Sequence, residues 1–429
     1  MRQLIYWSAA GGLLTALLVG SQSAGQELAA GEAPRYFFDP YVEPAERLQP
    51  PAESITGEAP RQPTRRTRSQ QANIRLASVP NMFGDLAMLT GIATVRIPNQ
   101  VGNNTIVASQ FGIPTVGSLR SGKISENDTP IPVDRVFFNY NHFHNLFAVN
   151  EQQLFPPGQP PIARQESLDR YTVGAEKTFL DGLFSIELRM PFFGAPDVEQ
   201  QTFGIQNGNY GNLTAVLKAL LYSDDSLAVG AGVAVCTPTG SDTVARIGLA
   251  SLRFENEAVH LLPYLGFIYS PGDPTWGWGD GLFLTGYVQF DAAANSNPVE
   301  VRVLDGPLVG TAGKFTEQNL LFFDIGVGYW LLRNPYAPRV TGLAAVAEFH
   351  YTTAVQDADV LATSVGPGVG AVTLTNPFNR FDVVNFTAGV QALLFDASSL
   401  RVAFATPLGS GEDQRLFDAE VIVQYNLRF

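Results

Sequence analysis

Beyond residue 133, apolar and polar positions alternate with a period of two along most of the chain. The run Phe417 to Phe429 shows this most clearly. Phe417, Ala419, Val421, Val423, Tyr425, Leu427 and Phe429 are apolar, while Asp418, Glu420, Gln424, Asn426 and Arg428 fill the other face and only Ile422 breaks the order. Successive side chains of a strand point to opposite faces, so one oily and one charged face mark a strand between two different solvents. The same pattern predicts strands at 133–144, 168–180, 182–193, 211–223, 226–238, 258–269, 280–291, 319–332, 341–353, 381–395, 398–407 and 417–429, about twelve in all. Short links at Asp181, Asp224–Asp225, Ser270–Gly279, Arg333–Val340 and Asp396–Ala397 alternate with longer ones at 145–167, 194–210, 239–257, 292–318, 354–380 and 408–416. Tight turns at one end and longer loops at the other would produce that alternation.

The faces follow strand by strand. Phe184, Ile186, Leu188, Met190 and Phe192 are expected outward, with Ser185, Glu187 and Arg189 inward. Leu213, Ala215, Leu217, Ala219 and Leu221 oppose Asn212, Thr214 and Lys218 in the same way, and Leu343 to Tyr351 opposes Glu348 and His350. No segment offers eighteen uninterrupted apolar residues, as a helical span would need. A closed barrel needs none, since its strands show lipid only at every second residue. The expected fold class is all-β: a transmembrane antiparallel up-and-down β-barrel of about 12 strands, preceded by a disordered arm and a plug- or cap-like segment.

Phe417 to Phe429 resembles the closing strand of bacterial outer-membrane β-barrels. That resemblance implies that Tyr425, Leu427 and Phe429 form the assembly signal read by the barrel-assembly machinery, with outer-membrane lipid around the strands. Met1 and Arg2, the apolar Gly11–Gly20 and the small residues to Gly25 have the layout of a secretory signal peptide at 1–25. Residues 26–72 are rich in Pro, Glu, Arg and Ala and are expected to be a disordered periplasmic arm. Residues 73–132 combine apolar positions such as Val79, Met82 and Phe83 with Gly-rich pieces. They are expected to form a plug or a periplasmic cap, with an extra hairpin as the alternative, ahead of a barrel at 133–429.

Composition narrows the function classes. A net charge of −13 argues against nucleic acid as a partner, and it favours cations in a pore only where it lines the pore. The single Cys236 excludes an intramolecular disulfide framework and a cysteine zinc site. The predicted lumen carries Arg135, Arg170, Glu176, Glu187, Arg189, Lys218, His260, Asp291, Asp324, Glu348, His350, Arg401, Glu420 and Arg428. Of these, Arg135, Glu187, Arg189, Lys218, Glu348 and Glu420 are the leading candidates for lining it. Such a set fits either an ion-pair network that fills a small barrel or a hydrated channel whose charges set selectivity.

Catalytic patterns are poor, so no enzyme activity, cofactor or metal is expected. His142 and His144 share one face two residues apart, a spacing more often met in loops and girdles than at a metal. Outer-membrane phospholipases place His and Ser two apart on one strand, and no such pair occurs here. Glu126 to Phe143, Val327 to Trp330 and Tyr425 to Phe429 resemble uncharacterised outer-membrane barrels of planctomycete bacteria. That family brings no assigned substrate. The expected function is a channel for passive passage of small solutes; the alternative is a non-conducting structural or adhesion barrel with a filled lumen, with an integral-membrane enzyme a distant third.

Overall fold

The computed structural model describes residues 76–85, 92–101, 104–114, 123–151, 162–194, 198–199, 203–206, 208–247, 250–271, 281–303, 308–334, 336–364, 371–375, 379–395, 397–411, 415 and 417–429. The expected signal peptide and arm lie outside the described residues.

Strands are numbered in chain order. β1 (Ile92–Val101) and β2 (Asn104–Pro114) pair as a hairpin. β3 (Arg135–Glu151), β4 (Ile162–Phe179) and β5 (Phe184–Gly194) follow, then the short β6 (Val198–Glu199) and β7 (Phe203–Gln206). Next come β8 (Thr214–Ser223), β9 (Leu227–Cys236), β10 (Thr243–Ile247), β11 (Ala250–Phe254), β12 (His260–Tyr269) and β13 (Leu282–Ala293). β14 (Asn297–Val303), β15 (Leu308–Phe315), β16 (Leu320–Arg333), β17 (Val340–Ala354), β18 (Val360–Ser364) and β19 (Ala371–Thr375) continue the chain. β20 (Asp382–Leu394), β21 (Ser398–Pro407) and β22 (Ala419–Arg428) complete it.

Twelve strands close into one antiparallel barrel in the order β12-β13-β16-β17-β20-β21-β22-β3-β4-β5-β8-β9. The seam between β22 and β3 runs from Arg428↔Arg135 to Ala419↔His144, and β9 joins β12 from Leu227↔Tyr269 to Cys236↔His260. Closure removes the sheet edges, so each barrel strand is paired on both sides. These are the twelve strands the alternation predicts. Their faces also agree: Ile186, Leu188, Leu217, Phe323, Ile325, Val327 and Phe349 are exposed, whereas Glu187, Lys218 and Glu348 are buried.

The differences lie at strand ends and in the long links. The link predicted at 145–167 is largely strand, because the β3–β4 hairpin runs on to Glu151↔Ile162 after a register shift between Phe143 and Phe147. Asn145, with a φ of 55°, turns the backbone there, and such a bulge interrupts the alternation that marks a strand. Four of the other five long links hold paired strands as well. β6, β7, β10, β11, β14 and β15 form a six-stranded sheet, and β18 and β19 join β1 and β2 in a four-stranded one. The β8–β9 link is compact. In the β8–β9 turn the Asp224 carboxylate accepts from the amides of Ser226 (2.8 Å) and Leu227 (2.7 Å), which holds its pKa down at about 2.

Two irregular segments, 76–85 and 123–133, run inside the barrel. The first begins near the short turns, where Arg428 donates to the Ala77 carbonyl (2.6 Å) and Arg333 to the Ser78 hydroxyl (2.7 Å). It reaches the long-loop end at Asp85, which accepts from Asn385 at the start of β20 (2.5 Å). The second returns from Lys123 to Val133, whose amide donates to Glu176 (3.3 Å). The two meet through the Met82 amide donating to the Asp128 carbonyl (3.0 Å) and the Asn127 amide to the Phe83 carbonyl (3.4 Å). Gly84 has a φ of 76°, and a Cβ there would stand 2.7 Å from the Glu126 Cα, so only glycine allows so close an approach. Leu76, Val79, Phe83 and Ile131 pack with the inward Ala403, Ala405 and Ile422. Ile422, the one break in the closing strand's pattern, is apolar because it meets these segments.

Candidate functional site

The barrel interior is charged, and the inner segments meet different charges on different sides. On the side built by β3, β4, β5 and β8, alternate residues point Arg135, Arg170, Glu176, Glu187, Arg189 and Lys218 inward, all at most 1% exposed. Arg135 lies 2.9 Å from Glu176 and 2.6 Å from Glu187, and Arg189 also pairs with Glu187. Lys218 Nζ lies 3.1 Å from Glu176 Oε1, which also accepts from the Ser185 hydroxyl (2.6 Å).

The inner segments complete this cluster. Asp128 Oδ1 lies 2.7 Å from Lys218 Nζ and 3.1 Å from Arg135 Nη2. Glu126 is gripped by both terminal nitrogens of Arg170 at 3.0–3.1 Å, the paired geometry that makes guanidinium–carboxylate contacts strong. Arg189 Nη1 donates to the carbonyls of Lys123 and Glu126 at 3.2 Å each, and Arg135 Nη1 to that of Asn127 at 2.6 Å. Four wall cations thus face two wall carboxylates and two carboxylates from the inner segments.

The side built by β16, β17 and β20 is the reverse. Asp324 Oδ1 lies 2.8 Å from Lys123 Nζ and 2.9 Å from His350 Nδ1. Asp85 pairs with the same lysine and lies 3.4 Å from His350 Nδ1. Glu348 accepts from the backbone amides of Phe83 (2.7 Å) and Gly84 (3.0 Å), with His350 Nε2 at 3.2 Å from its Oε2. Between these sides, Arg401 lies 4.0 Å over the Phe83 ring and donates to the Asn81 carbonyl, while Gln424 donates to that of Phe83 (2.9 Å).

The six leading lining candidates therefore separate. Arg135, Glu187, Arg189 and Lys218 come together in one cluster, and Glu348 belongs to the opposite one. Glu420 stands apart, accepting from Asn141 (2.7 Å). Tyr425, Leu427 and Phe429 lie at the short-turn end of β22, with Phe429 69% exposed. His142 lies 2.8 Å from Asp169 and His144 is exposed, so the structure does not join them into a site.

Two triads, Asp85–Asp324–His350 and Asp128–Glu176–Glu187, each hold ligand-type atoms within 4.8 Å. Lys123 sits in the first, and Arg135 and Lys218 in the second, so the protein's own cations balance both. Sequence reasoning missed Asp85, Lys123, Glu126 and Asp128, which lie on irregular backbone without a period. One signal was available: Arg135, Arg170, Arg189 and Lys218 outnumber Glu176 and Glu187 on the inward faces of four neighbouring strands.

No protein-family model matches the chain, and no curated protein does. Among solved structures the chain is similar to an outer membrane channel from Pseudomonas putida F1, at 13% identity and a TM-score of 0.41, covering 70% of this chain and 97% of that one. It is also similar to the Pseudomonas putida toluene transporter TodX (11% identity, TM-score 0.37, 82% and 100% covered). A third likeness is to the NanC porin (7% identity, TM-score 0.37, 69% and 100% covered). These likenesses are too distant to carry a substrate or a role, and the barrel stands on its own strand pairing.

Proposed function

We propose that the protein is a bacterial outer-membrane channel for small solutes, closed at rest by its own residues 76–85 and 123–133. Three observations support the membrane setting. The sheet is closed, its outward face is an apolar belt, and its polar side chains turn inward, as a barrel in hydrocarbon requires. In this reading the short turns and the arm at 26–72 face the periplasm after the signal peptide at 1–25 is removed. Tyr425, Leu427 and Phe429 guide assembly, and residues 76–85 and 123–132 act as a plug, whereas β1 and β2 between them belong to the four-stranded sheet with β18 and β19. The resemblance to planctomycete outer-membrane barrels belongs to the same proposal.

One observation carries the channel reading: the inner wall is charged even where the inner segments cover it completely. Buried ion pairs are often no more stabilising than well-packed apolar residues of similar volume. A wall that never met water would be held as stably by an apolar lining, whereas a wall exposed when the segments withdraw requires a polar one. The density of wall-to-segment contacts favours a second reading, a permanently filled structural barrel.

Planar-bilayer recording separates the two. The refolded mature chain, verified by heat-modifiable gel mobility, should be predominantly silent, and a chain lacking 26–132 should conduct in discrete steps. A truncated chain that is heat-modifiable yet passes no current overturns the channel reading.

A further inference from the structure

We infer that Glu126 and Asp128 occupy a built binding site for a small dianion, and that the solute this barrel admits is anionic, with a dicarboxylate as the best-fitting class. The inference rests on the channel reading for its transport role, but the site itself stands on geometry. Among the described residues of the β3–β4–β5–β8 wall, Arg135, Arg170, Arg189 and Lys218 face Glu176 and Glu187, leaving a surplus of two positive charges. The Glu126 and Asp128 carboxylates, one residue apart, supply the two missing negative charges, through the Arg170 fork and the Arg135–Lys218 pair.

Arginine does not deprotonate, so the positive surplus persists when the inner segments leave and the wall meets water. An entering dicarboxylate would restore the contacts the two side chains now make. A second observation points the same way. Tyr264 lies in a row with Lys218 across Gly232, and its buried hydroxyl has no hydrogen-bond partner among the described residues. A Cβ at Gly232 would stand 2.6 Å from that hydroxyl, so the glycine keeps open the room the tyrosine occupies. The Tyr287 hydroxyl, 3.5 Å from Asp128 Oδ2, adds another donor on the same side.

The opposite wall sharpens the selectivity. Asp324 faces Lys123 there and Glu348 faces the amides of Phe83 and Gly84, so an anion is held to one side of the lumen rather than filling it. The net charge of −13 is not that of this wall, whose described charges are in positive surplus.

The test uses the full mature chain carrying Glu126→Gln, which keeps the side chain's shape and removes its charge. Succinate should raise the temperature at which this variant loses its heat-modifiable mobility by several degrees over chloride at equal ionic strength, and should shift the wild type less. Open events of the variant in a salt gradient should give reversal potentials on the anion side. A folded variant that succinate stabilises no better than chloride overturns the site, and cation-side potentials overturn the selectivity. A barrel that stays silent but is stabilised by succinate overturns the channel reading alone. If the variant does not fold, wild-type protein decides. Succinate competing with Glu126 and Asp128 should speed tryptic cleavage after Lys123, and protection unchanged by succinate overturns the inference.

Discussion

Two sides of one barrel hold the same inner segments by opposite means. On the β3–β4–β5–β8 side, guanidinium groups of the wall grip carboxylates and carbonyls of the segments: Arg170 on Glu126, Arg135 on Asp128 and the Asn127 carbonyl, Arg189 on two further carbonyls. On the β16–β17–β20 side, wall carboxylates receive a lysine ammonium and two backbone amides. A guanidinium is a rigid planar fork that fixes orientation, whereas an ammonium is a compact charge on a flexible stem that tolerates displacement. The first side therefore sets the register of the inner segments, and the second only retains them. Release should begin at Lys123 and end at Asp128.

The largest effect should follow Asp128→Ala. It leaves Arg135 and Lys218 to Glu176 and Glu187 and removes one negative charge from a fully buried cluster, a loss of about 3–5 kcal/mol for a broken buried pair. The measurement is the urea midpoint of the barrel in lipid vesicles. Lys123→Met on the opposite side should cost less, about 1–3 kcal/mol, because His350 remains beside both Asp324 and Asp85. The contrast fails if the two variants lose equal stability. It sharpens if Lys123→Met instead raises the frequency of channel openings while the midpoint moves little.

The sequence disclosed the barrel more fully than its contents. Strand positions and faces were legible because two solvents impose strict alternation, as at Phe184 to Phe192 and Leu321 to Leu331. Where that constraint lapses, legibility lapses with it. The β3–β4 extension follows a bulge at Asn145, and β6, β7, β10 and β11 are short strands of the long links. The inner segments satisfy their backbone through wall side chains, as Phe83 and Gly84 do with Glu348, rather than through a ladder. No period marks them. Asp85, Lys123, Glu126 and Asp128 could be found only by asking which charges would balance the wall.

The smallest effect concerns whether burial or distance governs these pairs. Lys177 lies 2.6 Å from Asp134 outside the cluster, the same distance as Arg135 from Glu187 within it. Lys177 is 69% exposed, whereas Arg135 and Glu187 are fully buried. Removing Lys177 leaves Asp134 accepting from the Thr178 amide (2.6 Å) and hydroxyl (2.7 Å), and water replaces the ammonium. Lys177→Ala should therefore cost under about 1 kcal/mol, as exposed pairs do. That small loss should shrink further as salt is raised, because mobile ions screen exposed charges, while the loss from Asp128→Ala should persist. A loss from Lys177→Ala that rivals Asp128→Ala, or one insensitive to salt, would mean that contact distance alone sets the worth of these pairs. The two-sided account of the lumen would then lose its basis, since it depends on burial turning ordinary ion pairs into determinants of register.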